Sequence, residues 1–242
     1  SPDMKPKRML LPIVAAVVLT VLATLVVLNL RAERKIDVRP SHLYPVADQQ
    51  FLRSMSVLLG PPLLEGNRVE TLLNGDRIFP SMLQAISGAK HTIDFETYIY
   101  WSGEIGKRFA EALAERARAG VKVNVLVDWL GSQKMDDDAI STMTQAGVEF
   151  RKYRPLRWYT LARVNNRTHR KLLVVDGRIG FTGGVGIADN WTGNAQDPEH
   201  WRDCMVEVRG RLALSLQSAF TQIWAHATGE LISGDIFYPP AE

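Results

Sequence analysis

Two basic side chains, two positions apart, carry the chemistry of this sequence. His169 and Lys171 lie in Thr168-His169-Arg170-Lys171-Leu172-Leu173-Val174-Val175-Asp176-Gly177, a segment of the form H-x-K-x4-D, and Gly183-Gly184 follow after six further residues. On an extended strand, residues two apart share a face. A neutral imidazole is a nucleophile near neutral pH, and an ammonium beside it stabilises developing negative charge. That pair suits attack on a phosphoryl centre through a covalent phosphohistidine, which splits one hard step into two easier ones. The paired glycines let backbone come close to an anion and present N–H donors to it. A lone histidine is more often structural than catalytic. Here four apolar residues separate Lys171 from Asp176, an Asp-Gly turn follows, and the glycine pair stands at a fixed distance.

The elements around the pair alternate between strand and helix. Periodicity and turn chemistry predict strands at 68–73, 92–100, 121–127, 148–153, 171–176, 178–182 and 201–208. Helices are predicted from Asn74-Gly75-Asp76 to about Ser87, and over 104–119, 136–146 and 212–226, with Gly120 and Gly147 closing two of them. Asp136-Asp137-Asp138 reads as a helix N-terminus favoured by the dipole. Asp176-Gly177 is a hairpin signal. The pattern implies an α/β domain with enough residues for one core and not two. Residues 47–59 carry apolar side chains at helical spacing, stopped by Gly60-Pro61-Pro62. Such a helix either packs on the domain or lies on a membrane surface.

Composition places the chain among globular proteins, with a net charge of +3 and a pI near 9.0. The basic lean suits anionic lipid or nucleic acid. From Met9 to Leu30 no residue is charged. That run is long enough to cross a bilayer core, and Leu28-Asn29-Leu30-Arg31 offers no small-residue cleavage site, so it reads as an uncleaved anchor. Pro12 is expected in the first turn, where proline is tolerated. Basic residues flank the run almost evenly, so its orientation is not legible. The lone cysteine, Cys204, excludes an internal disulfide and is expected to be a small buried hydrophobe. Neither a nucleophile-elbow serine nor a phosphate-binding P-loop is present. His200, Asp203 and Cys204 have no second ligand cluster beside them. No cofactor is called for.

HRKLLVVDGRIGFTGGVGIAD resembles the first HKD motif of the phospholipase D superfamily, in its bacterial cardiolipin synthase-like group. IDFETYIYW, GVKVNVLVDWLGS and the HWRD segment at 200–203 resemble that group in the same order, so the likeness covers roughly residues 68–230. It implies a phospholipase D-like α-β-α sandwich lobe preceded by one transmembrane helix. It further implies that His169 attacks, Lys171 binds phosphate, Asp176 is mainly structural, and Asp203 orients the histidine's other nitrogen. Glu96 becomes either a pocket residue or a member of a structural ion pair. One departure stands out. Family members often carry G-S-x-N, whereas Gly183-Gly184-Val185-Gly186 lacks the asparagine, a role Asn190 could take. The resulting division is 1–8 as cloning remnant and basic N-terminus, 9–30 as anchor, 31–66 as linker and amphipathic helix, 67–232 as the lobe, and 233–242 as tail or interlobe linker.

The family's site uses two such motifs, the second histidine acting as general acid and then base. Of His42, His91, His169, His200 and His226, only His169 has lysine two residues on. The second copy comes either from a homodimer or from a second HKD lobe, and the sequence slightly favours the lobe. Between Phe150 and Val175 stand Arg151, Lys152, Arg154, Arg157, Arg163, Arg167, Arg170 and Lys171, with no acid and with Trp158 and Tyr159 among them. This is either a solvated basic loop or an electropositive rim leading anions to His169. An anchored site sees phospholipid at high effective concentration. The substrate expected first is therefore phosphatidylglycerol at the cell membrane, with transfer to an alcohol or to water. Nucleic acid and a catalytically incomplete lipid-binding lobe are the alternatives.

Overall fold

The computed structural model describes residues 6–30, 44–58, 64–155 and 166–240. The linker at 31–43, the Gly60-Pro61-Pro62 stop, and Arg157, Trp158, Tyr159 and Arg163 of the basic segment lie outside these residues. The chain divides into two compact units, Ser1–Met55 and Ser56–Glu242.

The first unit is dominated by α1 (Pro6–Leu30), whose window Leu10–Val27 has a mean hydropathy of 2.8 and no buried residue. At 1.5 Å per residue its 25 residues span about 37 Å, enough for a bilayer core. Thr20 and Thr24 return their hydroxyls to the carbonyls of Ala16 and Thr20 at 2.8 Å, which masks their polarity. Because the helix begins at Pro6, Pro12 lies inside it rather than in its first turn. The ring removes one backbone donor there, the usual cause of a local kink. Gln49–Leu58 forms the amphipathic helix α2, and none of its residues is buried.

The second unit is built on a mixed sheet of seven strands in the order β1-β7-β6-β5-β2-β3-β4. These are β1 (Arg68–Leu73), β2 (Thr92–Thr97), β3 (Lys122–Asp128), β4 (Glu149–Tyr153), β5 (Leu172–Val175), β6 (Ile179–Gly183) and β7 (Cys204–Arg209). Only β2, β3 and β4 run parallel to each other, joined by helical crossovers; the remaining pairs are antiparallel. Helices α3 (Asn74–Ser87), α4 (Glu104–Arg118) and α5 (Asp137–Gln145) cover one face, and α6 (Leu212–Thr228) covers the other. This is an α/β sandwich of three layers.

Alternation along the strands feeds both layers. Ile93, Phe95, Val123, Val125, Val127, Leu173 and Val175 face the three-helix side. There Phe109 of α4 stacks on Phe95 and meets Phe79 edge-on, with ring centroids 5.9 Å apart in both pairs. Each such side chain contributes about 1.5–3 kcal/mol by leaving water. On the other face Phe220 and Trp224 of α6 pack on Leu126, Tyr153 and Leu172. Phe237 is buried and Tyr238 shares a 2.7 Å hydrogen bond with Thr221, so the segment after α6 packs back on the sandwich.

The α6 layer also hides a polar cluster. Asp94 is completely buried and accepts from Asn124 Nδ2 at 2.8 Å and Gln217 Nε2 at 2.6 Å. Burial pushes its carboxyl up to about 7 despite those two amides. Between the ordinary value and 7 the folded state therefore holds more protons than the unfolded one, and stability falls as pH rises. Asp94→Asn removes that dependence. Urea midpoints of the two proteins should diverge between about pH 4 and about pH 7, the wild type losing ground, and stay parallel above. A gap constant over that range would mean an ordinary carboxylate.

Candidate active site

Strand β5 carries the reacting pair just before one end and its anchor at the other. Asp176, which follows the strand, accepts the backbone N–H groups of Lys90, His91 and Thr92 at 2.9, 2.7 and 2.8 Å. Asp176 and Gly177 both take positive φ, 52° and 62°, closing the hairpin into β6. A side chain on Gly177 would meet the Phe237 carbonyl. The strand separates Asp176 from His169, and the aspartate's bonds tie the end of β5 to the start of β2.

At the other end His169 is exposed, with its ring centroid 4.7 Å from that of Tyr98. Lys171 is buried, and its Nζ donates to the His169 carbonyl at 2.9 Å while lying 3.1 Å from Nδ1 and 3.4 Å from Nε2. The ammonium therefore sits against the ring edge between the two nitrogens. Partial burial lowers the imidazole pKa first and the Lys171 charge lowers it further, while Asp128 opposes both. The result favours the neutral, nucleophilic ring. Burial also lowers Lys171, and Asp203 works against that shift.

Asp203 precedes β7. It accepts from Trp191 Nε1 at 3.2 Å and from the Cys204 N–H at 2.8 Å. Among the described residues it makes no hydrogen bond to His169; its charge acts on Lys171 instead. The glycine pair serves the same corner. A Cβ on Gly183 would lie 2.4 Å from the Cys204 carbonyl, and one on Gly184 would strike the Asp203 carboxylate. The Gly184 N–H already donates to the Cys204 carbonyl at 3.1 Å. What comes close to Gly184 is thus the Asp203 carboxylate, while its N–H is given to the Cys204 carbonyl.

Asn190 turns its amide to the Glu199 carbonyl at 3.2 Å, within its own loop. Glu96 is fully buried, accepts the Thr168 hydroxyl, and lies 3.5 Å from Arg170 Nε. Burial raises its pKa, with Thr168 and then Arg170 opposing. Of the two readings of Glu96, the geometry is that of an ion pair. Arg167 donates to the Arg154 carbonyl at 3.1 Å and lies 3.6 Å from Asp128 Oδ1. Asp128 was not singled out from the sequence; an acid ending the apolar run of β3 was its only signal. Cys204 is exposed, contrary to expectation, because β7 starts at it and its side chain falls on the open side of the strand end. Among the described residues no three His, Cys, Asp or Glu side chains form a group that could hold a metal ion.

Asp176→Ala leaves three N–H groups without their acceptor. It should destabilise the lobe by about 3 kcal/mol or more in urea denaturation, whereas Asp176→Asn, which tolerates positive φ, should cost less. Equal stability of all three proteins would remove the anchoring role.

Comparison with known proteins bears on the family and the fold. The family described as cardiolipin synthase, PLD-like domain, matches residues 82–224. Cardiolipin synthase 1 of Bacillus anthracis is 39% identical over 173 residues, 71% of this chain and 34% of that protein. The cardiolipin synthase of Geobacillus kaustophilus is 37% identical over 181 residues, 74% of this chain and 36% of its own length. The chain thus spans about a third of the length of these curated relatives. Among solved structures, Nuc of Salmonella typhimurium, a phospholipase D family member, superposes with a TM-score of 0.51 at 18% identity, over 65% of this chain and 94% of that one. Phosphatidylserine synthase of Haemophilus influenzae superposes with a TM-score of 0.50 at 16% identity, over 62% of this chain and 35% of the other. With the family match across most of the sandwich and the His169–Lys171 pair at its sheet end, the chain belongs to the phospholipase D-like family of cardiolipin synthases.

Proposed function

We propose that this chain is a membrane-anchored lobe of a phosphatidyltransferase that works through a phosphohistidine on His169. The observation that carries the reading is the exposed imidazole of His169 held 3.1 Å from the Nζ of buried Lys171, where burial and then the lysine charge lower the ring's pKa. In the first step a ring nitrogen attacks the phosphorus of phosphatidylglycerol. A P–N bond forms, the P–O bond to the headgroup glycerol breaks, and Lys171 balances charge on the phosphoryl oxygens. Burial lowers the Lys171 pKa and the Asp203 charge opposes that shift. In the second step the hydroxyl of another phosphatidylglycerol attacks the phosphohistidine, its proton passing to the second histidine; the new P–O bond forms, the P–N bond breaks, and cardiolipin and the free ring result. Water in place of that alcohol would give hydrolysis.

Proton delivery to the departing glycerol needs a second histidine. It comes from a second HKD lobe or from a second copy of this chain, paired about a two-fold axis. Lipid is favoured over nucleic acid by α1, which is long and apolar enough to hold the lobe at a bilayer. The similarity to cardiolipin synthases supports the same choice.

Expression of the native gene in a bacterial host should raise cardiolipin at the expense of phosphatidylglycerol in lipid mass spectrometry, and His169→Ala should abolish the rise. Unchanged cardiolipin together with unchanged phosphatidic acid would contradict the proposal. Metal-independent DNA cleavage lost in the same variant would move the substrate to nucleic acid.

A further inference from the structure

His169 is exposed and its ring touches few neighbours, yet in-line attack needs a fixed direction. The fixing elements lie in the chain on either side of it. Asp128, fully buried at the end of β3, accepts the Leu130 and Gly131 N–H groups at 2.9 and 3.2 Å through Oδ1. Its Oδ2 accepts the Thr168 N–H at 3.1 Å. Glu96, fully buried on β2, takes the Thr168 hydroxyl and pairs with Arg170. Arg170 in turn donates to the Ala219 carbonyl of α6 at 3.2 Å. The residues immediately before and after the histidine are therefore tied to two neighbouring strands and one helix.

We propose that Asp128 and Glu96 are positioning residues that clamp the chain on both sides of His169, Asp128 through the Thr168 N–H and Glu96 through the Thr168 and Arg170 side chains, and that the carboxylate of Asp128, one residue from the ring through that bond, also steadies the imidazole as it becomes cationic on attack. The clamp rests on His169 being the nucleophile. The parity of the strand explains its form. Thr168, Arg170 and Leu172 turn towards the α6 side while His169 and Lys171 turn to the site, so the clamp holds the pair without occupying substrate space. Other charged groups acting on the pair are Lys171 itself, beside the ring, and Asp203, which acts on Lys171; Tyr98 supplies the aromatic wall. Asp128 is the one carboxylate among the influences on the His169 ring, and it raises the basicity that burial and Lys171 lower.

The test uses the full chain in detergent micelles with labelled histidine, the His169 signals being assigned by their loss in His169→Ala. Asp128→Asn should move the His169 titration further below that of the wild type. Thr168→Val, which cuts the tie to Glu96 and keeps side-chain shape, should leave the titration nearly in place but erase the ring-current shift that Tyr98 imposes on the His169 protons. A second readout is the initial burst of p-nitrophenolate from bis(p-nitrophenyl) phosphate, whose leaving group needs no proton from a second histidine. Misplacement of the nucleophile should slow that burst by about tenfold in Thr168→Val and about a hundredfold in Asp128→Asn, with the same half-saturating concentration. Far-UV circular dichroism confirms folding; should Asp128→Asn unfold, Thr168→Val decides. Folded variants with wild-type titration, ring-current shift and burst rate would overturn the clamp. So would a shifted titration with an unchanged burst. A wild type without any burst would count against His169 as nucleophile, while the titration and ring-current shifts would still decide the clamp.

Discussion

The register between β2 and β5 is the constraint on which the site depends. Pairing of Ile93 with Val175 and of Glu96 with Leu172 sets which side chains of the motif point where. A slip of one residue would turn His169 and Lys171 to the α6 side and send Leu172 and Val174 to the three-helix side, where Leu173 and Val175 now pack. Asp176 prevents the slip by binding three successive N–H groups at the start of β2. The H-x-K-x4-D spacing thus joins two jobs: reacting groups just before one end of a four-residue strand, and a lock on its position just after the other.

Electrostatics at the reacting end follow from that placement. Partial burial lowers the pKa of the histidine ring, and the lysine, close enough to touch it, lowers it further. Carboxylates lie further back: buried Asp128 acting on the ring, half-buried Asp203 on the lysine, and buried Glu96 beneath the strand. Buried acids without partners would be costly; Asp128 and Asp203 are met by backbone N–H groups and an indole, and Glu96 by a hydroxyl and an arginine at Oε1, its Oε2 having no hydrogen bond among the described residues. On the proposed reading this is half of a phosphoryl-transfer site, with His169 as nucleophile, Lys171 as charge stabiliser and a second histidine as proton donor.

Much of this was legible from residue pattern. The strands and helices of the lobe emerged within a few residues of their observed ends because apolar alternation, the Asp-Gly turn and the closing glycines agree with one another. The pair itself was legible because two positions apart on a strand means one face. Other features are set by tertiary contact, to which local pattern is blind. Gly184 reads as a phosphate cradle, but its space is taken by Asp203, which is distant in sequence. Cys204 reads as the start of an apolar alternation, but its side chain falls outside the packed layers. Asp94 lies within a run of β-formers, and nothing in the run announces a buried acid held by Asn124 and Gln217. Asp128 needed the fold to bring it to Thr168.

The central claim is that His169 itself becomes covalently phosphorylated. Peptide mapping of the chain after brief exposure to phosphatidylglycerol vesicles at neutral pH, quenched in alkali to preserve phosphohistidine, tests it directly. The account predicts an acid-labile phosphatidyl adduct on the peptide containing His169, absent in His169→Ala and strongly reduced in Lys171→Ala. Lipid turnover without any adduct on that peptide, or an adduct on another residue that survives in His169→Ala, would contradict it.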